Sequence, residues 1–229
     1  MNIDALIISV DDPQLEKCLY AVKYQTVPFS NIVHLNNVCP MHEAFNQGMA
    51  KTAADWVMFI GGDMILDLNA VGRIAQYIEK DAMEHVSGYW FGLLDTFFDC
   101  RIGFIGVLYG PLYRTIKYWD SSICDLITTQ RLRREGWIVK KNLRFVVGTH
   151  FDSPNEEQVF KRCYIHGIRF PYHKSLEPKL LEMFNKTQDP LYLLGIDAIN
   201  YAREKKYYPG SHNIEFDKRN YEEWKRLSA

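Results

Sequence analysis

The chain has 229 residues, 47% hydrophobic and 24% charged, enough apolar material for a substantial core in one large domain or a domain with an appendage. Lys plus Arg is 27 and Asp plus Glu is 28, so the net charge is −1, a balance that argues against a nucleic-acid partner, which needs a basic face. No apolar stretch approaches the ~20 residues of a membrane span, the first residues lack a secretory pattern, and Cys18, Cys39, Cys100, Cys124 and Cys163 form no CxxC pair, so we expect a cytoplasmic protein without a disulfide framework or structural zinc.

The first half alternates strand and helix signals, the pattern of an α/β protein with a parallel sheet. Ala5 to Val10 is a short β-branched run suited to a buried strand. Asp11 or Asp12 then caps a helix with Pro13 in its first turn, and Leu15, Cys18, Leu19 and Val22 fall at helical spacing. Asn31 to Leu35 predicts a second strand, and Met41 to Ala54 a second helix. Trp56-Val57-Met58-Phe59-Ile60 is the strongest strand signal, ended abruptly by Gly61-Gly62-Asp63. Leu68, Val71, Ile74, Ala75 and Ile78 mark an amphipathic helix.

From Val86 to Trp119 aromatics and glycines dominate; sheet core explains most of them, and lining a cleft is the alternative for some. A helix is expected over Ser122 to Glu135, short strands at Trp137 to Val139 and Leu143 to Val147, and helices at Pro154 to Ile165, across Leu176 to Lys206 with a break at Pro190, and over Tyr221 to Leu227. The chain contains no internal repeat and no low-complexity linker.

Asp63 carries the clearest chemical signal. A buried strand releasing into an acid-bearing turn puts a carboxylate at the carboxyl edge of the sheet, where open α/β sheets bind ligands. Such a carboxylate is a hard oxygen donor for Mg²⁺ or Mn²⁺, and Gly61 and Gly62 would let a ligand approach the backbone. An ordinary turn aspartate fits the spacing equally well.

Several motifs together resemble the GT-A glycosyltransferases, particularly family 2. They are Gln25-Thr26 after the first helix, Asn46-Gln47-Gly48 in the second, Ala54-Asp55-Trp56 entering the third strand, and Asp63 as the last acid of an Asp-x-Asp motif. A second block, Asp125 followed by Arg131-Leu132 and Gly136-Trp137, falls at the family's offsets, and Tyr113-Arg114 matches an aromatic-Arg pair ahead of an acceptor-side loop. The resemblance covers residues 3 to 150 or so. It implies a GT-A fold: a mixed, mostly parallel sheet flanked by helices, with a donor-binding half over about 1–80, an acceptor-side half over about 86–170 and a helical C-terminal appendage at 171–229.

The activity it implies is transfer of a sugar from a UDP- or GDP-sugar to an acceptor hydroxyl, with inversion and a divalent cation, Mn²⁺ or Mg²⁺. Asp125 would be the general base, and the acceptor a glycan, a lipid-linked sugar or a protein. Asp63 and His150 would hold the metal, with Asp152 a competing ligand and an ordinary hydrogen-bonded histidine the plainer account of His150. Ser9, Asp11, Asn36, Asn46, Gly61, Gly62, Asp63 and Arg131 would contact the nucleotide-sugar; Asp11 can equally cap the helix, and Arg131, Arg133 and Arg134 can equally form a solvated face.

The chain departs from the family where Gly61 replaces the first acid of Asp-x-Asp, Cys124 replaces a Glu, Asn36-Asn37 replaces an acid near the nucleoside and Phe45 replaces an Arg. Gly61 and Cys124 favour an alternative, a degenerate GT-A fold that binds a nucleotide or glycan without turnover. Asp95 and Asp99, beside Phe97-Phe98, are expected at the surface, with acceptor contact as the other option. Lys205-Lys206-Tyr207-Tyr208 is a thin signal for peripheral membrane contact. A sugar nucleotidyltransferase would need a Gly-rich, Arg-bearing loop where Ser9 to Gln14 stands, and neither a G-x-G-x-x-G nor a Walker loop is present.

Overall fold

The computed structural model describes residues 1–81, 84–121, 124–150, 154–169, 176–205 and 214–228. The chain divides into two compact units; among the described residues one holds seven strands and five helices, the other four helices.

The first unit opens with β1 (Ile3–Ser9), buried on both faces as a central strand must be. After it come α1 (Leu15–Lys23), β2 (Asn31–Asn36), α2 (Met41–Ala50), β3 (Trp56–Gly61), β4 (Met64–Leu66) and α3 (Ala70–Asp81). The unit continues with β5 (Val86–Asp95), β6 (Cys100–Tyr109), α4 (Gly110–Tyr113), α5 (Cys124–Arg134) and β7 (Ile138–His150). The strands lie in the order β2-β1-β3-β6-β5-β7-β4. Five run one way; β6 and β4 are antiparallel to their neighbours.

The two-residue period of the strands sorts the core into two layers. Ile3, Ala5 and Ile7 of β1 and Met58 and Ile60 of β3 join Cys18 and Val22 of α1 and Val71 and Ile74 of α3. Leu6 and Val57 face the other way, toward Ala44 and Met49 of α2, Tyr113, and Cys124 and Leu132 of α5. The aromatics of β5, such as Tyr89 and Phe91, belong to the first layer, so sheet core accounts for that part of the aromatic run.

Some expected elements differ in detail, and β4 is a strand not expected from the sequence. Pro13 precedes α1 rather than opening it, because the Asp12 carboxylate accepts the Gln14 N–H at 2.9 Å and closes a turn ahead of the helix. β4, three residues long, is too short to show a period. The two short strands expected near Trp137 and Val147 are one strand, β7, whose register against β5 jumps from Phe91↔Asn142 to Gly92↔Val146. The residues squeezed out at the jump interrupt the alternation that sequence patterning relies on.

The second unit holds α6 (Glu156–Arg169), α7 (Leu176–Thr187), α8 (Leu191–Lys205) and α9 (Ile214–Ser228). α6, within the stretch to residue 170 assigned to the first domain from sequence, packs on α8. Gly167 permits the close crossing: a Cβ there would lie 2.8 Å from the Ile199 carbonyl oxygen and 2.9 Å from Ala202 Cβ. Phe160 is the aromatic centre, ringed by Tyr164, Tyr201, Tyr221 and Trp224. Among the described residues no helix is long and apolar enough to cross a membrane.

Candidate functional site

Because β1, β2, β3, β5 and β7 run in one direction, their last residues share one edge of the sheet. Those residues are Ser9, Asn36, Gly61, Asp95 and His150. β4 returns antiparallel along β7 with Met64 opposite His150, so Asp63, in the turn just before β4, lies beside that histidine. On the other side of β7, Asp95 is also in register with His150. Strand pairing alone therefore gathers an imidazole and two carboxylates from three distant segments.

The side chains meet. His150 Nε2 lies 3.1 Å from Asp63 Oδ2, and Nδ1 lies 2.9 Å from Asp95 Oδ2. The Asp95 side chain is 0% exposed, that of His150 11% and that of Asp63 24%, so the row runs from the interior outward. The second oxygen of Asp95 accepts the Phe98 N–H at 2.9 Å, which answers the need of a buried carboxylate for a partner on each side.

Asp12 joins this cluster electrostatically. Burial pushes its carboxyl up from 3.8 to about 6; the Gln14 N–H opposes the rise, the Asp63 charge adds to it and His150 counters it. Gly62 is where the turn after β3 meets the loop after β1, since a Cβ there would sit 2.8 Å from Ser9 Cβ and 3.1 Å from Asp12 Cβ. Cys18, from α1, donates its thiol hydrogen to the Gly61 carbonyl at 3.5 Å. Burial, with Asp63 and Asp12 nearby, raises that thiol to about 12, so it stays protonated.

The loops after β1 and β2 are zipped together. Ser9 Oγ donates to Asn36 Oδ1 at 2.9 Å and lies 2.8 Å from His34 Nε2. The Asp11 N–H donates to Asn37 Oδ1 at 3.1 Å, and Asn37 Nδ2 returns a bond to Asp11 Oδ1 at 3.0 Å. Both residues have positive φ, 42° and 57°, a conformation that Asp and Asn tolerate better than most.

The donor types suit a hard-to-borderline divalent cation: an oxygen from Asp63 and a nitrogen from His150, the imidazole backed by a carboxylate as in many metal-binding histidines. Among the described residues no group of three His, Cys, Asp or Glu side chains is placed to hold a metal ion. Two protein donors therefore fit such an ion only if a ligand completes its coordination. Asp152, the competing ligand, lies outside the described residues.

No family model matches the sequence, and no curated protein matches it. Solved structures do. The mannosyltransferase PcManGT from Pyrobaculum calidifontis, in complex with GDP-Man and Mn²⁺, aligns with a TM-score of 0.56 at 10% identity over 91% of this chain and 76% of its own. TarS 1–349 from S. aureus, in complex with UDP, gives 0.51 at 10% identity over 90% and 88%; against another TarS structure this chain spans 55% of the length. Glucosyl-3-phosphoglycerate synthase from Mycobacterium tuberculosis, with Mn²⁺, UDP and phosphoglyceric acid, gives 0.50 at 12% identity over 74% and 78%. The chain has the GT-A fold.

Other residues singled out from the sequence lie on the helices rather than on the sheet edge. Asp125 is in the first turn of α5, on the layer of Tyr113, Tyr118 and Cys124, and its Oδ1 is buried without a hydrogen-bond partner. Such an atom in a folded protein calls for an explanation. Asn46 spends its amide on Tyr118, donating to that residue's carbonyl at 3.1 Å and accepting its N–H at 2.8 Å, so it clasps the segment leading to α5. Arg131 is exposed, donates to Glu135 at 2.9 Å and borders a shallow basin with Lys117, Trp119 and Arg134. Lys206, Tyr207 and Tyr208 lie outside the described residues.

Asp95 corrects the expectation of surface placement. Its carboxylate is sealed by Phe97 and Phe98, 6% and 0% exposed, and it bonds His150 instead of solvent. The signal that marked Asp63, an acid directly after an apolar run, is also present in Trp90-Phe91-Gly92-Leu93-Leu94-Asp95. The adjacent phenylalanines and Asp99 made that stretch look like a polar turn.

Proposed function

We propose that the chain binds a nucleoside-diphosphate sugar at the carboxyl edge of its sheet and transfers the sugar to an acceptor hydroxyl, with inversion. The observation that carries the reading is the Asp63–His150 pair at that edge, flanked by the Gly62 turn and the raised carboxyl of Asp12. UDP or GDP is the donor nucleotide, in keeping with the ligands of PcManGT, TarS and glucosyl-3-phosphoglycerate synthase. Ser9, Asp11 and Asn36 would border the nucleoside, and the Gly61 and Gly62 backbone the diphosphate.

Asp63 and His150 would hold Mn²⁺ or Mg²⁺, which supplies Lewis-acid stabilisation of the charge developing on the leaving diphosphate. Asp125 would take the proton of the acceptor hydroxyl as it attacks. Its Oδ1, buried without a hydrogen-bond partner, leaves acceptor capacity for a substrate. General-base assistance of this kind is worth ~10²–10⁴-fold.

Two substitutions test the reading. Asp125→Asn should abolish transfer and leave nucleotide affinity nearly unchanged; normal turnover would remove the base. Asp63→Ala should weaken Mn²⁺-dependent binding of UDP or GDP in calorimetry, and an unchanged isotherm would remove the metal role. Cys124 favours a second reading, binding without turnover. At 1% exposure inside an apolar cluster, it leaves Asp125 as the first-turn acid of α5. Released sugar from a panel of nucleotide-sugars in Mn²⁺ separates the two readings.

A further inference from the structure

We infer that Asp95 is a positioning residue: it holds a proton of His150 on Nδ1, so that Nε2 is the nitrogen given up to a divalent cation entering beside the Asp63 carboxylate. The inference rests on the metal-binding part of the reading above. Three features of the fold fix the arrangement. Asp95 is the last residue of β5, in register with His150, and the next residue closes the ladder, Thr96 N–H donating to the His150 carbonyl at 3.1 Å. The Asp95 side chain is wholly buried, 2.9 Å from Nδ1, with the Phe98 N–H on its other oxygen. Nε2 faces Asp63 at 3.1 Å.

The chemistry follows from donor and acceptor counts. An ionised carboxylate only accepts, so the nitrogen against Asp95 must carry hydrogen. Asp63 is an acceptor too, so in the ion-free protein Nε2 also shares a hydrogen with a carboxylate; a cation entering between Nε2 and Asp63 displaces that hydrogen, while the one on Nδ1 stays because Asp95 holds it. Closing the turn at Phe98 requires just one oxygen of Asp95; the second is committed to the imidazole.

Asp95→Asn exposes the difference because an amide has one accepting end and one donating end. With its oxygen under the Phe98 N–H, its NH₂ faces Nδ1, drives the ring proton to Nε2 and closes the metal face. With the amide reversed, two donors oppose each other at Phe98. Mn²⁺ titrated into the full chain should bind ~10–100-fold more weakly to Asp95→Asn than to wild type, the usual effect of losing the group behind a metal-bound histidine. UDP binding in EDTA and the circular-dichroism spectrum should not change.

A second measurement needs no variant at Asp95. Imidazole ¹⁵N spectra of the wild-type protein with Mg²⁺, assigned with His150→Gln, should show His150 protonated on Nδ1. A wild-type ring protonated on Nε2 alone overturns the inference, as does an Asp95→Asn protein with wild-type Mn²⁺ affinity. Wild-type protein that takes up no Mn²⁺ overturns the metal reading itself, and the positioning of a ligand falls with it; the ¹⁵N spectra tell the two failures apart.

Discussion

Gln25 shows how a motif residue of this chain is tied to its structure, and its removal has a calculable cost. The buried side chain donates to the carbonyls of Ala21 at 2.9 Å and Asp67 at 2.8 Å, and its oxygen accepts the Val71 N–H at 3.1 Å. Next to it, the Thr26 N–H bonds the Leu68 carbonyl at 2.8 Å. One amide thus ends α1, anchors the segment after β4 and satisfies a first-turn N–H of α3. Gln25→Ala deletes three hydrogen bonds, each worth about 1 kcal/mol net, and leaves the Val71 N–H unpaired in the interior. The expected loss is about 3–4 kcal/mol. At about 2–4 °C per kcal/mol for a protein of this size, the unfolding midpoint falls by roughly 6–16 °C. Urea unfolding followed by circular dichroism gives the free energy directly. Because β4 carries the register that brings Asp63 to His150, UDP binding should weaken as well. A loss below 1 kcal/mol would refute the view that this side chain, rather than apolar packing, fastens α1 to the segment after β4.

Three further outcomes are expected. A carboxyl raised from 3.8 to about 6 takes up its proton more readily in the folded state, so stability is lost as pH rises from about 4 to 6; Asp12→Asn escapes that loss. The full shift equals about 3 kcal/mol, reduced to about 1–2 by the solvent access of Asp12, so in EDTA the variant should melt about 2–8 °C above wild type at pH 8 and level with it near pH 4; an equal difference at both pH values would refute the assignment. Gly62→Ala forces its Cβ against Ser9 Cβ at 2.8 Å and should cost about 1–3 kcal/mol in thermal unfolding. Gly61→Ala meets the Asp63 Oδ1 at 2.8 Å and the Met64 Cε at 3.3 Å, both ends of movable side chains, so it should leave the midpoint unchanged yet weaken Mn²⁺-dependent nucleotide binding.

Much of the fold was legible because the first layers obey simple periods. β1 and β3 largely bury the apolar runs that mark them, α3 buries Val71, Ile74 and Ile78 of its marked positions while Leu68 lies exposed ahead of the helix, and the resemblance carried through Gln25 and Asp63 to a GT-A sheet. The illegible parts have physical causes. β4 is shorter than any detectable period, and β7 hides a jump in register. Asn46 matched a binding motif, yet its amide is occupied by the Tyr118 backbone, a partner 72 positions away that no local pattern reveals. Asp95 escaped because burial of an acid depends on its partner, and its partner is 55 residues distant.

The short β4 strand matters more to the site than its length suggests. Were the turn after β3 to lead straight into α3, Asp63 would face solvent as the turn aspartate that its spacing equally allows. Instead Met64, Ile65 and Leu66 pair with His150, Thr149 and Gly148, and the Asp67 N–H continues the ladder to the Val147 carbonyl at 2.9 Å. The same strand that sets Asp63 beside Nε2 therefore also covers the free edge of β7, a sheet edge that would otherwise invite pairing with another chain. One pairing serves two ends: Asp63 lies in the turn one residue ahead of β4, so its distance to His150 is set by the backbone hydrogen bonds of that strand, which a bound ligand cannot easily stretch.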